Sequence, residues 1–224
     1  MAIGNAKNII VGAGAIYLGK TVGTEYTEDD LVTGGTLSAS TVSLFDADNV
    51  DSTNWVSTGY TSQGVDLSFE PDYGEVQVDQ LLDVAKIFKQ GQKVMIKTTF
   101  AEATLENFII ALGSNAATDM TGSSGSAIQE VALNGGALGY SPIERSIAIV
   151  GPGPDAKKAA ANKNSVERIY IGYRALSMES VTVGIKRNEA TEFPVTFRLL
   201  ASSANDVAGN ASYGKVIDRA FNAA

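Results

Sequence analysis

Alternation of apolar and polar residues is the strongest pattern in this chain, and it predicts strands. Val65, Leu67 and Phe69 take one parity, and Asp66, Ser68 and Glu70 the other. Val76 and Val78 are then flanked by Glu75, Gln77 and Asp79. Successive side chains of a strand point to opposite faces, so this stretch predicts a sheet with one apolar surface and one surface carrying carboxylates in rows. Phe193, Val195, Phe197 and Leu199 alternate in the same way. Pro194 falls on their opposite parity, where a proline marks an edge or a strand start. Further strands are predicted over residues 8–18 (broken by Gly12 and Gly14), 143–150, 168–176 and 181–186. Two more are predicted within residues 81–97, around a Gln90-Gly91 turn.

The period changes once. Leu105, Phe108, Ile109 and Leu112 recur at i, i+3, i+4 and i+7, one face of a helix. Thr99 with Glu102 reads as a capping box, and Gly113 as the left-handed stop. A helix over about residues 99–112 would then lie as a lid on one sheet face.

Loops separate these elements. Residues 25–60 are rich in Thr, Ser, Asp and Gly and hold the only tryptophan, Trp55, beside Val56 and Tyr60. A long loop of this kind is usually functional or disordered. Trp55 either docks on a neighbour as an aromatic anchor or folds back on its own domain, and the sequence leaves both open. Residues 114–126 are small and polar, and Asn134-Gly135-Gly136 marks a hairpin turn. Residues 151–165 form a loop with a basic tip at Lys157, Lys158 and Lys163, whose alanines suit one turn of helix. Residues 201–224 read as a small-residue arm with an apolar hook at Val216, Ile217 and Phe221. Together, 224 residues of this pattern predict one mainly β domain. Its expected form is a β-sandwich or partly open barrel with one flanking helix, long loops and flexible terminal arms.

Charge changes the picture. The net charge is −8, unevenly spread: residues 1–140 hold 6 basic and 17 acidic side chains, and residues 141–224 hold 11 and 8. Between Thr21 and Ala85 there are thirteen acids and no lysine or arginine. A bipolar subunit suits head-to-tail self-association, although two ordinary solvated faces read the same way. An acidic wall without counter-ions repels polyanions, which points to a structural or passage-lining role and away from a nucleic-acid grip. Basic and aromatic residues interleave only within residues 168–174, too sparsely for nucleic-acid binding.

The chain has no cysteine and no histidine, which excludes disulfides, cysteine–histidine zinc sites and the common nucleophile–base pairs. A Ser-x-x-Lys match, Ser212 to Lys215, lies in the small-residue tail. Gly14, Gly19, Lys20 and Thr21 satisfy the P-loop spacing, but Val22, Gly23 and Thr24 follow where a helix must start, so a strand and turn are expected instead. Gly12 and Gly14 begin a dinucleotide fingerprint that lacks its third glycine. Asp46, Asp48 and Asp51 resemble half of a calcium loop, without its glycine or closing glutamate. Carboxylate pairs leave a glycosidase open by composition, but a single tryptophan argues against a sugar cleft. No catalytic, cofactor or metal site is expected. No apolar run approaches the ~20 residues of a membrane helix, and no signal peptide is visible at the start, so a cytoplasmic protein is expected.

Five motifs follow one another along the chain: Gly12-Ala13-Gly14-Ala15-Ile16-Tyr17, Thr58-Gly59-Tyr60-Thr61-Ser62-Gln63-Gly64-Val65, Glu75-Val76-Gln77-Val78-Asp79-Gln80, Ala101-Glu102-Ala103-Thr104-Leu105-Glu106-Asn107 and Phe193-Pro194-Val195-Thr196-Phe197-Arg198. With the order of elements, they make the chain resemble the tail tube (major tail) proteins of long-tailed bacteriophages. The resemblance implies a structural virion protein, not an enzyme, with the whole of residues 1–224 as a single domain. It implies hexameric rings stacked into a tube through which DNA passes without specific binding. It also implies assembly in the bacterial host cytoplasm with tape-measure, tail-terminator and distal tail proteins. On that reading Asp66, Glu70, Glu75 and Asp79 line the bore, although alternation does not say which way a face looks. Residues 25–60, with Trp55 and Tyr60, form an inter-ring arm, and Lys157, Lys158 and Lys163 its acceptor. Residues 114–140 are an insertion. A tube subunit of a contractile injection or secretion system, and a monomeric β-sandwich carbohydrate-binding module or glycosidase, remain as other readings.

Overall fold

The computed structural model describes residues 5–79, 83–114, 120–121, 128–131, 133, 142–207 and 210–223. In chain order the strands and α-helices begin with β1 (Ala15–Gly19), β2 (Trp55–Ser57), β3 (Thr61–Gln77), β4 (Val84–Phe100), α1 (Leu105–Ala111), β5 (Met120–Thr121) and β6 (Glu130–Val131). There follow β7 (Arg145–Pro152), α2 (Ala156–Ala161), β8 (Ser165–Ser177), β9 (Phe193–Leu200), β10 (Ser202–Val207), β11 (Asn210–Ser212) and β12 (Gly214–Phe221).

One eight-stranded antiparallel sheet dominates, in the order β2-β1-β7-β8-β9-β4-β3, and it does not close into a barrel. The sheet forks at β8. On the edge away from β7, residues 165–172 carry β12 and residues 174–177 carry β9. The inner face buries Ile16, Leu18, Ile147, Ile149, Val94, Ile96, Phe197 and Leu199, with Ile110 and Ala111 of α1 packed on them. Phe108 of α1 meets Phe193 at 5.7 Å between ring centroids. The helix is therefore the expected lid. The outer face of β1, β7 and β8 is buried too, under residues 26–50. Being covered on both sides, β7 reads as the unbroken apolar run Ile147-Ala148-Ile149-Val150.

Several expected boundaries move. The helix begins at Leu105, with Thr104 as its cap, accepting a hydrogen bond from the Asn107 amide. Thr99 is instead the penultimate residue of β4, opposite Pro194, and the Glu102 carboxylate accepts from the Tyr60 amide. Tertiary pairing outweighed a local capping signature. Gly113 does close the helix, at φ 69°. The two strands expected within residues 81–97 are one strand of 17 residues. At Gln90 the register steps from Asp72 opposite Gly91 to Tyr73 opposite Lys89, so the glycine serves a bulge and not a turn. Phe88 then lies over Gly74, where a Cβ would sit 2.7 Å from its ring.

Residues 181–186 form no strand, although Val181 and Val183 still pack on the inner core. Pro194 is a strand-start proline, as its parity suggested: at that end β9 has β4 on one side only. The alanines of residues 156–161 form α2, closed by Asn162 in the left-handed conformation at φ 55°. Residues 201–224 were expected as an arm. Instead β12 pairs with β8 over eight residues, because Ile217 and Phe221 need the sheet to bury them. Of residues 114–140 only 114, the short β5–β6 ladder, 128, 129 and 133 are described, so the expected insertion and its hairpin turn lie largely outside the described residues.

The start of β12 is held by close approach. A Cβ on Gly214 would overlap the Ile171 carbonyl, which is backbone and cannot swing aside. Gly214→Ala is expected to lift β12 from β8 and cost about 1–3 kcal/mol. A lower urea midpoint, with amide protection lost first in β12, is the expected reading.

Candidate functional site

The sheet leaves two long edges without partners among the described residues. β3 pairs with β4 along its 17 residues and presents its other edge to solvent. β12 pairs with β8 alone. In addition β9 accompanies β4 only over Val94–Phe100, so residues 84–93 of β4 have β3 as their sole strand partner. The outer half of β3 and β4 is thus a two-stranded ribbon projecting from the sheet. Unpaired edges of this length are templates for another strand.

Two of the acids expected to stand without counter-ions are opposed by lysines, whereas Glu75 faces Ile87. Asp66 lies directly across from Lys97, and Glu70 from Lys93. Directly opposed residues of an antiparallel pair share a face, so each acid has a cation beside it. Counting charges along β3 could not show this, because the lysines come from β4. The four acids also fail to form one row. Parity along β3 places Asp66, Glu70 and Asp72 on one face and Glu75 on the other, with Phe69 and Tyr73. Asp79 follows the end of β3. All are exposed.

Residues 25–60 do not reach away from the body. Trp55 is 2 % exposed, its indole N–H donates to the Asp30 carbonyl at 3.1 Å, and its ring lies 5.5 Å from that of Tyr26. Leu31, Leu37, Leu44 and Val50 pack with it against Tyr17, Ala148, Val150, Ile169 and Ile171. The indole is therefore core, and the expected aromatic anchor is not on the surface. An ion pair clamps the segment. The buried Glu167 carboxylate accepts from the Leu44 amide at 3.0 Å and from the Ser43 hydroxyl, and takes Arg219 Nη2 at 2.6 Å. Arg219 also donates to the Val42 carbonyl and stacks 4.1 Å over the Phe221 ring. Tyr17 donates its hydroxyl to the Leu44 carbonyl at 2.9 Å. Burial first, then the charges of Asp46 and Glu167, pushes that phenol up to about 12. No local signal marked this clamp, since its members lie far apart in sequence. The apolar positions within the polar loop were the available hint.

The remaining expected contact residues are on the surface. Tyr60 is 80 % exposed. Lys157 and Lys163 are exposed, and Lys158 pairs with Asp155 at 3.0 Å. The P-loop match is strand β1 followed by a turn, and the Lys20 ammonium donates to the Ser52 carbonyl. Asp46 and Asp51 accept from backbone amides of their own turns. Ser212 donates to the Gly214 carbonyl, while Lys215 pairs with Glu28, so they form no nucleophile–base pair. Among the described residues no acid cluster is arranged to hold a metal, and no helix is long and apolar enough to cross a membrane.

One open cleft of about 450 Å³ lies where the fork parts β12 from β4 and β9. Leu67, Phe69, Val94, Ile96, Leu199 and Val216 make it apolar, and Lys89 and Lys215 also line it. The Tyr213 hydroxyl crosses it to the Gln92 carbonyl at 3.0 Å.

The family model described as "Phage tail tube protein" matches residues 1–209. No curated protein matches the chain.

Proposed function

The chain belongs to the phage tail tube protein family, and we propose that its copies join edge to edge into rings, hexameric as the resemblance implies, that stack into a tube carrying DNA into the host. Family membership makes it a structural subunit of the virion tail that assembles with other tail proteins. The observation that supports ring formation is the pair of unpartnered edges, β3 and β12. They are different surfaces of one chain, so each copy offers one edge to the next, and a head-to-tail contact of this kind closes into a ring when its rotation divides a full turn. Closure also removes edges that would otherwise invite aggregation. Tape-measure, terminator and distal tail proteins are the partners at the tube's core and ends.

The bore is lined by the open face of β3 and β4, with Asp66 and Glu70 towards the DNA. Duplex DNA binds by exchanging counter-ions for lysine and arginine, and a lysine already facing a carboxylate offers less of that exchange. The wall is then non-adhesive because its charges are matched, and not because it is uniformly acidic. Glu75 and Asp79 belong to the ribbon's outer half. Tyr60, Lys157, Lys158 and Lys163 remain contact candidates between subunits.

Negative-stain microscopy of the purified chain, alone and with preformed tail tips as nuclei, tests the assembly. Rings or tubes are expected, and monomers under both conditions would refute it. Asp66→Lys with Glu70→Lys leaves four lysines facing one another. Tails carrying both changes are expected to release DNA more slowly, with a steeper dependence on salt. Release at an unchanged rate and salt dependence removes these residues from the bore.

A further inference from the structure

We propose that the edge contact closing the ring is confined to Val65–Glu70 of β3 on one copy and to β12 of the next, and that Pro71 is the stop that keeps the rest of the ribbon out of it. The proposal rests on the ring reading above. It follows from which main-chain groups face outward along each edge.

Directly opposed residues of an antiparallel pair either exchange both main-chain hydrogen bonds or turn both sets of groups away from each other, in alternation. Pro71 lies opposite Gln92 and has no N–H to give. The Gln92 carbonyl instead accepts from the Tyr213 hydroxyl across the cleft, at 3.0 Å. This pair is therefore of the second kind. The register of β3 on β4 is unbroken from Val65 to Asp72, so Val65, Leu67 and Phe69 share the phase of Pro71. Their N–H and C=O groups point to the free edge. On the other side of β4, Pro194 lies opposite Thr99 and gives the same phase.

The groups along β12 follow in the same way. Pro152 lies opposite Glu167, and the Gly153 amide donates to the Val166 carbonyl at 3.4 Å. Val166 therefore faces β7, and Glu167 faces β12. The Tyr173 amide shares the phase of Glu167 and donates to the Tyr213 carbonyl, just before β12, at 3.2 Å. Lys215, Ile217, Arg219 and Phe221 lie opposite β8 residues of that phase and bond to them. Gly214, Val216, Asp218 and Ala220 then turn their N–H and C=O groups outward.

Sheet edges are blunted by proline and by bulges. β3 carries these devices everywhere but in one stretch. Its register breaks between Thr61 and Val65, between Asp72 and Tyr73 and between Val76 and Gln77, and Pro71 stands just before the second break. Between the first break and the proline, Val65, Leu67 and Phe69 present successive outward donors. β12 keeps one register along its eight residues and holds no proline. These are the regular stretches of the two edges. Charge does not select them, because each charged side chain on them already has an opposite charge beside it. Asp66 faces Lys97, and Glu70 faces Lys93. Lys215 pairs with Glu28, Asp218 with Arg168 and Arg219 with Glu167. The main chain carries the contact, and the ribbon beyond Pro71 stays outside it.

Amide exchange of the parent chain, compared between free subunits and assembled rings, tests this. Val65, Leu67, Phe69, Val216, Asp218 and Ala220 are expected to exchange at least about tenfold more slowly in rings, while residues 73–77 change little. Phe69→Pro and Val216→Pro each remove one outward N–H and no bond of the subunit's own ladder. Both side chains are more than half exposed, at 56 % and 55 %. Each variant is expected to abolish rings and to keep the urea midpoint of the free subunit near that of the parent. Should either fail to fold, exchange in the parent chain still decides. Protection that extends along residues 73–77, none at Val65, Leu67 and Phe69, or rings of Phe69→Pro as abundant as the parent's overturns this contact and leaves the ring reading standing. A parent chain that never forms rings sinks both.

Discussion

Arg219→Met is expected to destabilise the isolated subunit by about 3–5 kcal/mol, one of the two largest effects of any single substitution considered for this protein. The guanidinium lies beside Glu167 at 2.6 Å, and both side chains are 6 % exposed. Removing the cation leaves a carboxylate buried with only Ser43 and Leu44 as donors. The Val42 carbonyl loses its donor at the same time. The pair is not itself a store of stability, because Nε and Nη1 of Arg219 are buried without hydrogen-bond partners. Glu167→Gln combined with Arg219→Met is accordingly expected to recover most of the loss, since the amide oxygen still accepts from Leu44 and no charge stays behind. Urea unfolding of the unassembled subunit separates the two cases. If the double variant is as unstable as Arg219→Met, an orphaned charge is not the cause.

Trp55→Ala is expected to cost about 3–5 kcal/mol on the same measurement, the range for emptying a fully buried aromatic site. The indole fills the space between Tyr26 and the outer face of the sheet, and its N–H is the donor for the Asp30 carbonyl. The cavity would open beneath residues 26–50, so hydrogen exchange should rise there before it rises in the ladder of β7 and β8. The same experiment distinguishes the two placements of Trp55 that the sequence leaves open. An anchor on a neighbouring copy would contribute nothing to the isolated subunit, and a variant with unchanged stability would return it to that role.

How far the fold was legible depends on the range of the interactions involved. Phe193, Val195, Phe197 and Leu199 announced β9 because a strand buried on one face must alternate, whatever lies beside it. Leu105, Phe108 and Ile109 announced α1 for the same reason at a different period. Gly113 closed that helix at a positive φ that few residues adopt easily. The cap was misplaced from Thr104 to Thr99 because Thr99 has Glu102 three residues on, as a capping box requires, where Thr104 has Asn107, and only the pairing of Thr99 with Pro194 shows that Thr99 is already in a strand.

The assembly surface was legible in part. The acid-rich alternation along β3 was plain. Lys93 and Lys97 were equally visible, but nothing local says that they stand across from Glu70 and Asp66. Trp55 sits in a polar stretch, and polarity averaged along the chain hides Leu31, Leu37, Leu44 and Val50, which cover the sheet together with it.

The sequence by itself therefore determined the β class, the lid helix and the bipolar charge. All of these follow from side-chain period and composition, which neighbouring residues settle among themselves. Tertiary structure alone decided the cross-strand partners of the acids, the fold-back of residues 26–50, the incorporation of β12 and the fork that leaves a cleft beside a free ribbon. Each of these joins residues distant along the chain, and their meeting depends on which surfaces bury one another once the sheet has formed.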